Sequence, residues 1–229
     1  MFQIVKDLVP AVPTKLLLDF EKGAHTAFNS IFPEVTTTGC FFHLRQLVHR
    51  KVQELGLKQR HDQDMEFAHL VKCITALSFV PPDDAEALFE SLSEEFPEKD
   101  AADQLLTYFK STYIQGPILR RRRRPAMFPI ALWNHYQDAL DKAPKTTNCT
   151  EGWHNALRAI FLSSHPSIWN FIRGLKKDMS IQRLIVLNAE VDRPRLKYQI
   201  LANRLSEKVG KYTDEKDKLK YLRAVAYIN

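Results

Sequence analysis

The sequence predicts a mostly α-helical fold with a residual two-stranded parallel β element. Two short segments, residues 15–20 and 36–42, are rich in apolar, β-branched or aromatic residues, which is the composition of strands. A helical pattern follows each segment, and this strand–helix–strand–helix order favours parallel pairing. From about residue 62 onward the apolar residues recur at helical spacing, so we expect the rest of the chain to be helical.

Composition and charge narrow the class of protein. The 229 residues are 45% hydrophobic and 26% charged, which is globular rather than disordered composition. The net charge of +6 and the pI of about 9.2 permit a polyanionic partner. No signal peptide and no apolar run near the roughly 18 residues of a membrane span are evident. We therefore expect a protein that is neither secreted nor membrane-bound, and its three cysteines suit a reducing compartment.

Asp19 is the first candidate functional residue. It lies at the carboxyl end of the first predicted strand, K-L-L-L-D-F, where open α/β sheets hold their ligands. The alternative is that Asp19 only caps the helix predicted for residues 20–30. The second predicted strand, residues 36–42, leads into an amphipathic helix over residues 43–55.

Cys40 and His43 form a C-F-F-H motif between the second strand and the next helix. One cysteine and one histidine make at most half of a zinc site, and His49 is the nearest candidate for a third ligand. Cys73 belongs to an apolar helical segment instead. We favour a packed cysteine and a histidine at a helix start over a structural zinc ion, so no structural zinc is expected.

An arginine run divides the helical region. The five residues that precede Pro125 are Arg120, Arg121, Arg122, Arg123 and Arg124. Such a run is either a solvated loop held open by self-repulsion, a phosphate-binding patch or a nuclear localisation signal. The aromatic residues that follow, Phe128, Trp133 and Tyr136, are interpreted as core residues rather than platforms for base stacking.

Residues 146–155, T-T-N-C-T-E-G-W-H-N, open another helix. Asn148 is a suitable N-cap, and Glu151 three residues later completes a capping box. In the alternative interpretation Glu151, His154 and Asn155 form a polar cluster on one helix face, because they are spaced i, i+3 and i+4. From residue 182 the chain is charged and helical, and we expect two helices that pack onto the body.

Several segments together resemble a Mutator-like element (MULE) transposase domain of the FLYWCH-zinc-finger-associated type. The segments are LLLDFEKGAHTAFNSIFPEVTTTGCFFHLRQLVHRKVQELGL, ALSFVPPDDAEALFESL, RRRRPAMFPIALWNHY, TTNCTEGWHNALR with HPSIWNFIRGLKKD, and KYLRAVAYIN. They cover nearly the whole chain in the family's order and correspond to its C-terminal two-thirds. The family carries a C-x-x-H motif at the position of Cys40 and His43.

The resemblance implies an RNase H-like fold and metal-dependent DNA strand cleavage and transfer. Three carboxylates would hold two Mg²⁺ or Mn²⁺ ions, with Asp19 as the second carboxylate and Glu151 as the third. Glu21 would be an adjacent acid. Polar groups beside the carboxylates or facing the substrate would be Asn148, His154 and Asn155. No small-molecule cofactor is implied.

The sequence departs from the family at the first carboxylate. Only 18 residues precede Asp19, and Asp7 is the only acid among them. Two strands also cannot make the five-stranded sheet of that fold. We therefore expect a truncated RNase H-like core with an all-helical insertion and C-terminal helices.

Four segments follow from this interpretation. Residues 1–60 form a partial RNase H-like core, and residues 61–145 form the all-helical insertion with the arginine-rich loop. Residues 146–180 carry the third family carboxylate, and residues 181–229 form charged C-terminal helices.

Three functions remain open at this stage. The first is a truncated transposase that does not cleave DNA alone. The second is a domesticated module that binds DNA or a protein. The third is a nuclease completed by a protein partner that supplies the missing strands. DNA and the nucleus are the expected partner and location.

Overall fold

The computed structural model describes residues 2–8, 12–97, 100–120, 122–161, 163, 165–187 and 196–228. They form two compact units: residues 1–146 with 200–229, and residues 147–199. The described chain is mostly helical with one two-stranded parallel sheet and one short antiparallel hairpin, which confirms the mostly-α prediction. No described helix has the length and apolar character needed to cross a bilayer.

The helices follow the order of the sequence pattern. Those before the hairpin are α1 (Phe2–Leu8), α2 (Lys22–Ile31), α3 (Phe41–Glu54), α4 (Lys58–Gln63), α5 (Met65–Ala76), α6 (Ala85–Glu94) and α7 (Asp100–Phe109). Those after it are α8 (Ile130–Trp133), α9 (Tyr136–Leu140), α10 (Asn148–Phe161), α11 (Ile168–Leu187), α12 (Leu196–Gly210) and α13 (Lys218–Ile228). A π-helical turn, Lys110–Ile114, continues α7.

The parallel sheet consists of β1 (Lys15–Leu18) and β2 (Thr36–Gly39), joined by α2. Lys15 lies opposite Thr36 and Leu18 opposite Gly39, which confirms the parallel pairing. The strand predicted for residues 36–42 is too long, because α3 already begins at Phe41. Phe41 is a buried helical residue whose ring packs on Phe79 at 4.8 Å, so an aromatic residue typical of strands here serves a helix.

One hydrophobic core unites α3 with the helices on both sides of the hairpin. Trp133 is fully buried, and its Nε1 donates to the Tyr113 carbonyl at 2.9 Å. The C-terminal helices join this core: the Tyr221 hydroxyl of α13 donates to the Phe79 carbonyl at 2.6 Å. Residues 41–57 and the helices of residues 61–145 therefore share one core, and residues from 200 onward pack with them, whereas Phe28, Phe32 and Val35 form a second, smaller cluster. The expected packing of the last helices onto the body is confirmed for these residues.

The antiparallel hairpin consists of β3 (Ile118–Leu119) and β4 (Arg122–Arg123). Ile118 lies opposite Arg123, and the Arg124 N–H donates to the Pro117 carbonyl at 3.0 Å. Arg120 takes a positive φ of 50° at the turn. Arg122 and Arg123 are thus strand residues of a hairpin.

The second unit contains α10 and α11. The Phe161 and Phe171 rings stack at 5.4 Å, and Trp153 Nε1 donates to Asp178 Oδ2 at 3.1 Å. Gly174 lies so close to the Phe161 ring that a Cβ there would collide with it. The close packing of the two helices therefore requires glycine at this position.

Candidate functional site

Asp19 directly follows β1, as predicted, and its backbone is held in place by α2. The Asp19 carbonyl accepts hydrogen bonds from the Glu21 N–H at 2.8 Å and from His25 Nε2 at 2.7 Å. The carboxylate does not cap α2, whose N-cap is Glu21. It remains exposed, and its Oδ1 lies 2.9 Å from His43 Nδ1. Of the two interpretations of Asp19, the helix cap is therefore wrong.

Cys40 stands at the matching position after β2. Its N–H donates to the Leu18 carbonyl at 2.7 Å, so it prolongs the parallel ladder by one hydrogen bond. It is also the N-cap residue of α3 and is fully buried. His43 lies one turn along α3 and is half-buried. The carboxyl ends of both parallel strands and the first turn of α3 thus meet at one place.

Asp19, Cys40 and His43 form a cluster of possible metal ligands, which we call the strand-end cluster. One ligand atom from each residue lies within 4.8 Å of the others. The cluster has a buried sulfur, a half-buried imidazole and an exposed carboxylate. Thiolate, imidazole and carboxylate ligands together suit zinc and similar borderline metals, whereas Mg²⁺ and Mn²⁺ favour oxygen ligands alone.

The other predicted residues near Asp19 do not join this cluster. Glu21 only precedes α2, and its carboxylate makes no cap hydrogen bond. His49, the residue considered as a third zinc ligand, lies away from the cluster: its Nε2 is 3.3 Å from Gln53 Nε2, and its ring is 5.3 Å from that of His61. The third residue of the cluster is Asp19 instead, and its spacing from Cys40 and His43 in the sequence gives no sign of this.

The predicted residues of the second unit lie on α10. Glu151, His154 and Asn155 share its first two turns, and the last two are exposed. Asn148 is not the N-cap: the Glu151 N–H donates to the Thr147 carbonyl at 3.1 Å, so Thr147 holds that position. Thr147 is itself a good capping residue, which explains the one-residue error. A metal site shared by Asp19 and Glu151 stays a prediction.

The arginine hairpin, which we define as residues 117–124, is a second candidate site. The described arginines, Arg120, Arg122, Arg123 and Arg124, are all exposed. None of these four forms an ion pair with another described residue, and together they line one small concavity. Arg121 lies outside the described residues. Adjacent unpaired guanidinium groups repel one another, and a polyanion relieves that repulsion through charge-assisted hydrogen bonds.

A basic groove on the first unit adds to this charge. It lies along α3, α4 and α5 and is lined by Arg45, His49, His61 and Lys72, with the half-exposed Phe42 beside them. No carboxylate is among the described residues that line it, although Asp62 lies 3.4 Å from His61. The hairpin is suited to phosphate groups, whereas the groove combines its cationic side chains with an apolar lining of Phe42, Val48 and Val71.

The aromatic residues after the hairpin belong to the core, as predicted. Phe128 and Trp133 are buried, and Tyr136 packs against the same cluster. The Phe128 ring lies 5.1 Å from that of Phe20, edge to face. The Phe128 and Trp133 rings are therefore not accessible for base stacking.

Sequence reasoning missed a polar network that supports the sheet. His135 Nε2 donates to the Gly39 carbonyl at 2.8 Å, and its Nδ1 lies 2.8 Å from Asp138 Oδ2. The other Asp138 oxygen pairs with Lys15 of β1. The only signal in the sequence is the i, i+3 spacing of His135 and Asp138. The network holds both strands: His135 binds the end of β2 beside the strand-end cluster, and Asp138 binds Lys15 at the start of β1.

Comparison of the chain with protein-family models, with curated proteins and with solved structures finds no match.

Proposed function

We propose that this protein is a DNA-binding module derived from a MULE-type transposase, with an RNase H-like origin for its β1–α2–β2–α3 segment. The observation that carries the proposal is the arginine hairpin, whose four described arginines are exposed and form no ion pair with described residues. The nucleus is the matching location. We further propose that these 229 residues do not cleave DNA alone, because the family resemblance gives them only two of the three carboxylates.

Electrostatics supports DNA rather than a neutral partner. The net charge of +6 is not spread evenly, since the hairpin places four guanidinium groups on one short element. Each phosphate that a cation neutralises releases condensed counterions, so affinity would fall steeply with salt. The basic groove offers Arg45 and Lys72 as further phosphate-binding residues on the same unit.

The first test is DNA affinity at fixed low salt. Fluorescence anisotropy with a labelled duplex of random sequence would compare the wild type with Arg122→Ala/Arg123→Ala. Removing two phosphate-binding side chains should weaken binding by about ten- to a hundredfold. The matched control is Lys216→Ala/Lys220→Ala, which removes two exposed lysines of the same unit that form no ion pair with described residues. Equal weakening in both variants would contradict the hairpin as the binding site.

A second function, metal-dependent strand cleavage, is favoured by the position of Asp19. Its exposed carboxylate lies at the carboxyl end of a parallel strand, where the family resemblance requires one. In this case Asp19 and Glu151 would each contribute to a Mg²⁺ or Mn²⁺ site completed by a partner's carboxylate.

Nicking of supercoiled DNA with Mg²⁺ or Mn²⁺ separates the two functions. The DNA-binding module should produce no nicking by the chain alone. Nicking that disappears in Asp19→Ala and in Glu151→Ala, but not in the control Asp62→Ala, would establish the nuclease instead.

A further inference from the structure

We propose that the strand-end cluster binds one Zn²⁺ ion through Asp19, Cys40 and His43, with a water molecule in the fourth position. Such a metal site goes beyond DNA binding and does not depend on it. It also revises the expectation drawn from the sequence, where Cys40 and His43 alone make only half of a site.

The geometry of the cluster is close to what tetrahedral zinc requires. Zinc binds nitrogen or oxygen at about 2.0–2.1 Å and sulfur at about 2.3 Å, which places neighbouring ligand atoms about 3.3–3.6 Å apart. The three ligand atoms lie within 4.8 Å of one another, so the Cys40 sulfur has to approach the other two atoms by at most about 1.2 Å. His43 Nδ1 and Asp19 Oδ1 are 2.9 Å apart, so they need to separate by only about 0.4 Å to admit the ion.

The three ligands range from buried to exposed, as expected for a zinc site that is open to solvent on one side. Cys40 is fully buried, His43 is half-buried, and the Asp19 side chain is 57% exposed. The ion would therefore be held from the protein side by sulfur and nitrogen, with the fourth position facing water. Three protein ligands and one exchangeable ligand is the usual arrangement of a catalytic rather than a closed structural zinc site.

The backbone already holds the ligands in place. Cys40 is fixed by its hydrogen bond to the Leu18 carbonyl, and the Asp19 carbonyl is fixed by His25. His43 sits one helical turn after Cys40 on α3. An ion bound here would connect the carboxyl ends of both strands of the sheet. Two four-residue strands make a marginal sheet, so such a connection would stabilise it.

Cobalt(II) provides the test, because it replaces zinc and absorbs visible light in tetrahedral sites. The reduced wild-type protein should bind one Co²⁺, with a thiolate-to-cobalt band in the near ultraviolet, and stoichiometric Zn²⁺ should abolish the signal. Cys40→Ser should eliminate the thiolate band. Cys73→Ser should keep it, since Cys73 is an equally buried cysteine inside α5.

Substitutions of the other two ligands keep the test decisive if Cys40→Ser fails to fold. Asp19→Asn and His43→Asn should each weaken Zn²⁺ binding by at least tenfold in a chelator competition, about the cost of removing one ligand or its support. His49→Asn, on the same helix, should leave the affinity unchanged. No metal uptake by the wild type, or equal uptake by Asp19→Asn and the wild type, would overturn the proposal. DNA affinity measured with and without chelator reports separately on the proposed function.

Discussion

The imidazole of His135 donates a hydrogen bond to the carbonyl of Gly39, the last residue of β2, with a separation of 2.8 Å between Nε2 and the oxygen. The two residues are 96 positions apart in the chain. This hydrogen bond ties the helical region to the end of the sheet from which Asp19 and Cys40 project. The stability of the strand-end cluster therefore depends on residues that lie far from it in sequence.

His135→Phe should lower the free energy of unfolding by about 2–3 kcal/mol, because the buried Gly39 carbonyl loses its hydrogen-bond donor and the buried Asp138 carboxylate keeps only Lys15. Urea unfolding measures this change. His49→Phe, an exposed position on α3, serves as the control and should change stability by less than about 0.5 kcal/mol. Equal stability of the two variants would show that the network does not support the sheet.

Asp138→Asn should reduce the dependence of stability on acid. Burial raises the pKa of the Asp138 carboxyl, but hydrogen bonds from His135 and Lys15 outweigh burial and hold that pKa below its ordinary value of 3.8. Between the lowered pKa and 3.8 the unfolded chain binds more protons, so stability falls as the pH falls through this range. The variant should be less stable at neutral pH and should be destabilised less below about pH 4. Urea unfolding at several pH values in this range measures the free energy of unfolding. If that free energy changes with pH equally in the variant and in the wild type, the ion pair of Asp138 is contradicted.

His69→Phe should remove a second contribution to the pH dependence of stability, one that acts at a pH closer to 7. Burial, together with Arg223 and Lys72, lowers the pKa of His69 from 6.5, against a raising effect of Glu66. Below pH 6.5 the unfolded state therefore binds more protons than the folded one, and wild-type stability should decrease with acidification. The phenyl ring keeps the stacking on Tyr227, which lies 4.2 Å from the imidazole of the wild type, and does not titrate.

The measurement for His69 is the difference in unfolding free energy between about pH 7.5 and about pH 5.5. The variant should show a smaller difference than the wild type. If His69→Phe shows the same difference as the wild type, groups other than His69 cause the pH dependence of stability.

Gly174→Ala should destabilise the second unit, because the new methyl group collides with the Phe161 ring. The expected destabilisation is about 1–3 kcal/mol, the usual cost of overpacking. Gly152→Ala is the matched control within α10: its Cβ would meet nothing, so helix propensity alone should stabilise the helix by about 0.5–1 kcal/mol. Hydrogen exchange of α10 and α11 amides reports both changes, which should have opposite signs.

The features that the sequence predicts well are local ones. K-L-L-L before Asp19, and the i, i+3, i+4 spacing of apolar residues, are enough to place β1 and most helices within a few residues. The parallel pairing follows from the alternation of strands and helices. Local errors have local causes: Phe41 has strand-like composition but begins a helix, and Thr147 rather than Asn148 caps α10.

The features that the sequence does not predict depend on interactions across the chain. Asp19 meets Cys40 and His43 because two strand ends lie side by side, and no spacing rule links these positions. The arginine run gives no strand signal, since arginines at exposed positions are typical of loops; the hairpin forms because the main chain of Arg122 and Arg123 pairs with that of Ile118 and Leu119. The role of His135 is hidden for the same reason, because its partner Gly39 is distant in sequence.

DNA binding through the arginine hairpin is tested most directly by the salt dependence of affinity in the hairpin variant and its control. In a plot of log affinity against log salt, Arg122→Ala/Arg123→Ala should have a slope shallower than that of the wild type by about 2, one for each guanidinium–phosphate pair removed. Lys216→Ala/Lys220→Ala should keep the wild-type slope. Identical slopes for all three proteins, or no binding by the wild type at low salt, would contradict DNA binding through the arginine hairpin.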